Sequence, residues 1–384
     1  MQAPARPSDP GGRGPETEPD GGPGFWCVTK YEDLKQISRN PRLFSSWLGG
    51  TNIPDQPEEG LAGLRAIMLN MDPPQHVKFR RTVQRSFTPR LMESMRPHVR
   101  ELARRIVDKV AHKGECEFVE DLAAELPLQV ICEMMGVPQE DRKHLFECSN
   151  RLIGFDDPEY QTSEEDAKQA SAQMFLYAMQ LAAKRLARPG DDLVSRLLTS
   201  EVDGHKLSEL EFSSFFLLLA IAGNETTRTV TCWGMHSLIT HPDQREKVLR
   251  SPRLLESAVE EILRFAPAVH YFRRTASEDT EIRGQRIRKG DKVTIWYPSA
   301  NRDEDVFPDG DHFDVTRHPN EHLAFGIGEH FCLGSNLARM ELQEIFREIL
   351  TRLPDLELAA PPRRLRSNFV NGCKQMRVQF SPES

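Results

Sequence analysis

The segment Phe325-Gly-Ile-Gly-Glu-His-Phe-Cys332-Leu-Gly334 puts one cysteine in a glycine-rich turn. Directly after it, Ser335 to Leu353 is an amphipathic run that reads as a helix. Three glycines let the backbone come close to a flat ligand and take positive φ where the turn needs it. The helix start adds unpaired N–H groups and a positive dipole end, both of which favour a thiolate over a thiol. A thiolate held under a planar ligand is the axial donor that a haem iron needs to push electron density toward bound oxygen.

A second unusual stretch, Ala222-Gly223-Asn224-Glu225-Thr226-Thr227, lies inside a long helical pattern. Glycine inside a helix costs about 1 kcal/mol against alanine. Threonine hydroxyls can bond back to carbonyls and loosen the ladder. A polar, glycine-containing interruption of an apolar helix suits a place where a ligand approaches the backbone. A polar patch tolerated in a buried helix explains it equally well.

Other charged pairs share one helical face. Glu261 and Arg264 are i,i+3, a spacing that most often gives a solvated pair worth ~0.2–0.5 kcal/mol. His76 and Arg80 are i,i+4 after Asp72-Pro-Pro, and such a basic pair either meets water or makes charge-assisted bonds to carboxylates. His318, His322, His330 and Cys332 could close a tetrahedral zinc site. Zinc, however, leaves Phe325 and the glycines without a purpose, and structural zinc seldom manages with one cysteine. No Gly-x-x-x-x-Gly-Lys-Ser/Thr, His-Glu-x-x-His or Gly-x-Ser-x-Gly occurs.

The elements that must position these residues are mostly helical. Phe25 to Tyr31 reads as a short strand, followed by a helix ending before Pro41. Residues 45–70 are interrupted by Gly49, Gly50, Pro54, Pro57 and Gly60 and read as irregular. From Pro73 to about Leu353 helical patterning dominates. Ser208-x-x-Glu211 is a capping box. The helix it starts runs to about Thr240, where His241-Pro242 stops it; that is roughly 32 residues, or about 48 Å. A helix opened by Ser251-Pro252 and ended before Pro267 carries Glu261 and Arg264. A β-rich insert is expected from Val269 to Tyr297, with turns at Arg283-Gly284 and Lys289-Gly290. Leu365 to Phe380 reads as a hairpin turning near Asn371-Gly372. Residues 1–24 hold six Pro and six Gly, so a disordered segment is expected there, followed by a single domain over residues 25–384.

Composition narrows the function. The 384 residues carry a net charge of −8 with pI about 5.9, which argues against a nucleic-acid footprint. Seven cysteines without close pairing point to reduced thiols and a cytoplasmic setting. The longest apolar stretch, Phe215 to Ala222, is far short of the ~20 residues that span a bilayer.

The ten-residue cysteine loop closely resembles the haem-binding loop of the cytochrome P-450 superfamily, with Phe325, Gly326, Gly328, His330, Cys332 and Gly334 at the usual fixed positions. Ala222, Gly223, Glu225 and Thr226 match that family's oxygen-activation signature. Glu261-x-x-Arg264 matches its buried pair, with Arg317 as the later arginine. The resemblance spans about residues 25–380. It implies a mainly α fold with a minor β region, a triangular helical body with a long central helix over haem. It implies a haem b cofactor with Cys332 as the metal ligand, and a pocket including Ala222, Gly223, Ala324, Phe325, Gly326 and Gly334. His76, Arg80, Arg274 and His330 would bind the haem propionates.

Glu225 and Thr226 would relay protons during insertion of one atom of O2 into a C–H bond. Electrons would come from NAD(P)H through a ferredoxin and its reductase. The cavity wall would come from residues 45–70, Arg151–Phe155, Phe216–Ile221, Val269–Phe272 and Phe369–Asn371. It is largely apolar here, so an apolar small molecule is expected. Phe272-Arg-Arg-Thr-Ala, Ser299-Ala-Asn-Arg-Asp-Glu304 and Arg364-Leu-Arg-Ser resemble the actinobacterial branch acting on sterols and methyl-branched lipids. Terpenoid or polyketide tailoring is the alternative within the fold. A peroxide-driven peroxygenase or a haem carrier would have no need of the Glu225–Thr226 pair.

Overall fold

The computed structural model describes residues 24–154, 157–160 and 163–383. The Pro/Gly-rich stretch expected to be disordered falls almost entirely outside them. Four helices open the chain: α1 (Tyr31–Ser38), α2 (Glu58–Arg65), α3 (Gln75–Gln84) and α4 (Pro89–Asp108). Next come α5 (Glu125–Met135), α6 (Arg142–Ile153), α7 (Glu164–Ala187) and α8 (Leu193–Thr199). The longest, α9 (Glu209–Thr240), precedes α10 (Pro242–Arg250), α11 (Leu255–Phe265), the single turn α12 (Tyr297–Ala300) and α13 (Ser335–Arg352).

Helix starts follow local chemistry. Thr88 caps α4, accepting from Leu91 N with Pro89 in the first turn. Ser208 and Glu211 form the reciprocal capping box of α9, which runs unbroken through Gly223 to His241. The segment expected to be irregular holds α2: Pro57 precedes it, Glu58 and Glu59 sit in its first turn, and Arg65 closes it onto Glu58 at 2.5 Å. Charge complementing the helix dipole outweighs Gly60 and Gly63 there.

Strands β1 (Phe25–Val28), β2 (Phe44–Ser45), β6 (Tyr271–Ala276) and β9 (Lys292–Trp296) form one sheet in the order β1-β9-β6-β2. Among the described residues β1 pairs only with β9, so its other edge carries no strand. Small ladders complete the strands: β3 (Glu115–Glu117), β4 (Glu201–Val202) with β5 (His205–Lys206), and β7 (Thr280–Ile282) with β8 (Gln285–Ile287). Arg283 and Gly284, at φ 49° and 74°, make the turn between β7 and β8, as their sequence predicts. The C-terminal region is not one hairpin. Here β11 (Arg363–Arg364) pairs with β12 (Cys373–Gln375), while β13 (Arg377–Gln379) lies between β10 (Glu357–Leu358) and β3.

The main core gathers apolar faces of α4, α5, α9, α11 and α13, with Phe215, Phe216, Trp233, Ile262 and Phe346 at its centre. A second core under the four-stranded sheet contains Trp26, Val28, Leu34, Phe44, Val293 and Ile295. The candidate site is built where loops from the second body meet helices of the first. No helix among the described residues is long and apolar enough to cross a membrane.

Candidate functional site

The cysteine loop is shaped by its glycines. Cys332 N donates to Phe325 O at 2.8 Å, closing the turn. Gly326 and Gly328 adopt φ of 69° and 78°. At Gly328 a Cβ would also lie 2.6 Å from Ser38 O at the end of α1, so the loop could not rest on that helix with any larger residue. Burial pushes the Cys332 thiol up, while the Gly334 N–H, Arg80 and Arg339 favour the thiolate less strongly. The protein alone therefore holds a thiol there, and a cation at the sulfur would make it a thiolate. The Arg339 guanidinium lies 4.6 Å over the Phe325 ring and makes a forked pair with Glu260 at 2.7 and 2.9 Å.

Beside this loop, four basic side chains converge from three segments. His76 and Arg80 come from α3, Arg274 from β6 and His330 from the loop itself. Burial, then Arg80 and Arg274, pushes His76 down to about 4. Burial, then Arg274, His76 and Arg80, holds His330 well below its ordinary value. Arg80 and Arg274 are depressed too, burial being the largest cause for each. His76 Nδ1 and His330 Nε2 are buried without a hydrogen-bond partner. Arg274 donates to Arg273 O at 2.8 Å. Such a cluster is deficient in acceptors and in negative charge, and a ligand bearing two carboxylates supplies both.

On α9, Ala222 is exposed and Thr226 half-buried, while Asn224, Glu225 and the residues from Thr227 to Met235 are buried. One face of a core helix thus borders open space at its middle. Thr226 Oγ1 donates back to Ala222 O at 2.7 Å. A Cβ on Gly223 would lie 2.8 Å from Ile131 Cγ1, so this glycine lets α9 and α5 approach each other.

Glu225 points elsewhere. Its carboxylate is buried against Arg228, with Thr229 Oγ1 at 3.5 Å. Burial raises its pKa and Arg228 lowers it, with a net upward shift. Arg228 donates to Asn150 Oδ1 at 2.8 Å and stands 5.3 Å over the Phe146 ring. Sequence reasoning missed Arg228 and Asn150, although Glu225-x-x-Arg228 repeats the spacing of Glu261-x-x-Arg264. It also missed Glu341 on α13, a fully buried carboxyl pushed up to about 8 by burial, which outweighs the Thr227 hydroxyl beside it.

The Glu261–Arg264 pair is buried, as the resemblance implied. Arg264 grips Glu261 through two bonds of 2.8 Å and donates to the carbonyls of Asn301, Gly310 and His312. Arg317 reaches Glu261 at 3.3 Å and the carbonyls of Pro308, Asp309 and His312. Both arginines therefore fix the meander that delivers the cysteine loop. His322 contacts Glu260 at 3.1 Å, and among the described residues no three His, Cys, Asp or Glu side chains are placed to hold a metal ion, so the zinc arrangement does not form.

Of the expected cavity walls, Ile153, Ile221, Phe369 and Val370 meet in one apolar cluster, and Phe272 packs on Phe369 at 5.6 Å. Val269 bridges to Val370. Arg151 instead pairs with Asp166 at 2.5 Å, and Phe216 is buried against Tyr177. Phe155 lies outside the described residues.

The family model for cytochrome P450 matches residues 52–370. A steroid C26-monooxygenase of Rhodococcus jostii is 44% identical over 365 residues, covering 94% of this chain and 76% of the relative. A methyl-branched lipid omega-hydroxylase of Mycobacterium bovis is 43% identical over 365 residues, covering 94% and 85%. Among solved structures, a Mycobacterium marinum cytochrome P450 in complex with pseudoionone superposes with a TM-score of 0.88 at 38% identity, covering 97% of this chain and 88% of that one.

Proposed function

The chain belongs to the cytochrome P450 family, and from that premise we propose that Cys332 is the proximal ligand of its haem b and that the substrate is a steroid or a methyl-branched lipid. The residues present fit the cofactor. Haem brings two propionates, and the site offers His76, Arg80, Arg274 and His330 with two orphaned ring nitrogens. It brings a cation to a half-buried sulfur whose thiol is otherwise pushed up. Ala324, Phe325, Gly326 and Gly334 would line the thiolate side, and Ala222 with Gly223 the other. When bound, haem supplies the iron centre at which O2 is activated for insertion of one oxygen atom into a C–H bond.

The protein's own part is binding and proton movement. The Thr226 hydroxyl, held by Ala222 O, faces the open side of α9 and can pass a proton there. Glu225 would hold the proton supply behind it, steadied by Arg228. The apolar cluster of Ile153, Ile221, Phe369 and Val370 would exclude water and orient an apolar substrate. NAD(P)H provides electrons through redox partners; we assign that role to a ferredoxin and its reductase.

The observation that carries the substrate assignment is the 42–44% identity to steroid and methyl-branched lipid hydroxylases over more than nine-tenths of the chain. Binding of pseudoionone by a structural neighbour favours, as a second reading, oxidation of a terpenoid-like ketone. Substrate-induced spectral shifts with steroids, branched fatty acids and terpenes separate the two. A reduced, CO-bound sample should show the red-shifted Soret band of thiolate ligation, and Cys332→Ser should lose it. A Cys332→Ala protein that kept this band would overturn the ligand assignment.

A further inference from the structure

We propose that the outward face of α7 is a docking surface for a second copy of this chain, with the two α7 helices lying antiparallel across a two-fold axis. The helix is apolar on two sides. Met174, Ala178 and Leu181 pack into the main core. On the opposite side Ala172, Leu176, Met179, Ala183 and Leu186 form a second stripe, and it faces water. Leu176 is 57% exposed, Met179 44% and Leu186 63%.

A surface helix ordinarily keeps one apolar face for the core and a charged face for solvent. Here no charged residue occurs from Gln169 to Ala183, in a chain of which 28% is charged. That gap spans about four helical turns. Single exposed leucines are ordinary, but a continuous apolar stripe about 21 Å long is not. Absence of charge together with an exposed methionine is the composition of an interface centre.

Spacing and charge identify the occupant. The steps along the stripe are 4, 3, 4 and 3 residues. A repeat of 3.5 keeps one helix seam facing another. From Ala172 to Ala183 the steps read the same in both directions. Two antiparallel copies therefore lay Leu176 of one on Met179 of the other, and Ala172 on Ala183, once on each side of the axis. Large side chains meet at the centre, and small ones let the helices approach at either end.

The ends of the helix are complementary in the same arrangement. Glu165 in the first turn is exposed, as are Lys184 in the last turn and Arg188 just past it. Among the described residues none of the three forms an ion pair. Antiparallel docking sets the acidic start of one helix beside the basic end of the other and opposes the two dipoles. Parallel docking would set like charges together. A lipid surface fits less well: helices that lie on membranes carry lysines and arginines along the polar face. Gln173 and Gln180 flank this stripe, and Glu165 would be repelled by anionic headgroups. One helix from each copy buries less than the ~1,200–2,000 Å² of standard interfaces. The dimer is therefore reversible and dependent on concentration.

The test is sedimentation velocity on the holoenzyme across micromolar concentrations. The parent should pass from monomer to dimer. Leu176→Lys and Met179→Lys should each weaken dimerisation at least about tenfold while keeping haem content and the substrate-induced spectral shift. Leu210→Lys changes a leucine that is 50% exposed outside the stripe, and it should dimerise like the parent. A parent that stays monomeric throughout, or a Leu176→Lys protein that dimerises like the parent, would overturn the proposal. A monomeric parent that floats with anionic phospholipid vesicles would give the face to lipid instead.

Orientation is read at low ionic strength, where surface charges are least screened. Glu165→Lys should weaken the dimer several-fold, and adding Lys184→Glu and Arg188→Glu should restore it. In a parallel dimer Glu165→Lys would replace one like pair by another. Unchanged dimerisation of Glu165→Lys would therefore overturn the antiparallel arrangement.

Discussion

The imidazole rings of His76 and His330 lie 4.1 Å apart, centroid to centroid, and each has a buried nitrogen without a partner. Neither ring can take a proton cheaply while Arg80 and Arg274 stand beside it. His76 is pushed from 6.5 down to about 4, so the unfolded chain binds its proton first. Without haem, stability should be full above about pH 6.5 and should fall as pH drops toward 4. Two propionates reverse the sign of the local field, so haem loading should flatten that dependence. Melting temperature against pH, with and without haem, measures both. Parallel curves would argue that the cluster does not face the propionates.

Arg80 should matter for retention of haem more than a cation that faces water. Losing one charged hydrogen bond costs on the order of 1.5–3 kcal/mol. Arg80→Ala is expected to lose haem at lower denaturant than Arg90→Ala, whose parent side chain is exposed. Equal haem content in the two variants at every denaturant concentration would contradict the clamp.

Thr226→Ala should still bind substrate and accept electrons, since the hydroxyl bonds only to the Ala222 carbonyl of its own helix. Its expected defect is diversion of NAD(P)H into H2O2. Thr226→Ser, which keeps the hydroxyl, should recover much of the coupling. Unchanged product yield in Thr226→Ala would take this side chain out of the mechanism.

Glu341 gives the opposite pH dependence to His76. Its carboxyl is raised from 4.5 to about 8, so folding takes up a proton between those values. The contribution of this group is therefore most favourable below about pH 4.5 and weakens as pH rises to 8. Glu341→Gln removes the uptake and should stabilise the protein at pH 8 relative to pH 5 by a few kcal/mol. Melting curves of parent and variant that stay parallel across this range would mean Glu341 is ionised in the fold.

Much of this protein was legible along the chain because its signals are local. A capping box and a His-Pro stop define α9, and both depend on neighbours within four residues. The cysteine loop is equally local: glycine positions, one thiol and a helix start specify its chemistry. The basic residues could be named by spacing and resemblance, and folding brings His76, Arg80, Arg274 and His330 into one cluster.

Direction was not legible. Glu225 and Thr226 are adjacent in sequence, yet successive helical positions diverge by about 100°. Packing of α9 against α6 decides that the carboxylate turns to Arg228, itself held by Asn150, while the hydroxyl faces open space. A Cβ on Gly223 would meet Ile131 of α5, so this glycine also sets how closely two helices approach, which no neighbour in sequence reveals. Desolvation is likewise a property of the whole fold. Only the assembled core leaves Glu341 and the two histidines without water, and so sets which of their protonation states the protein tolerates.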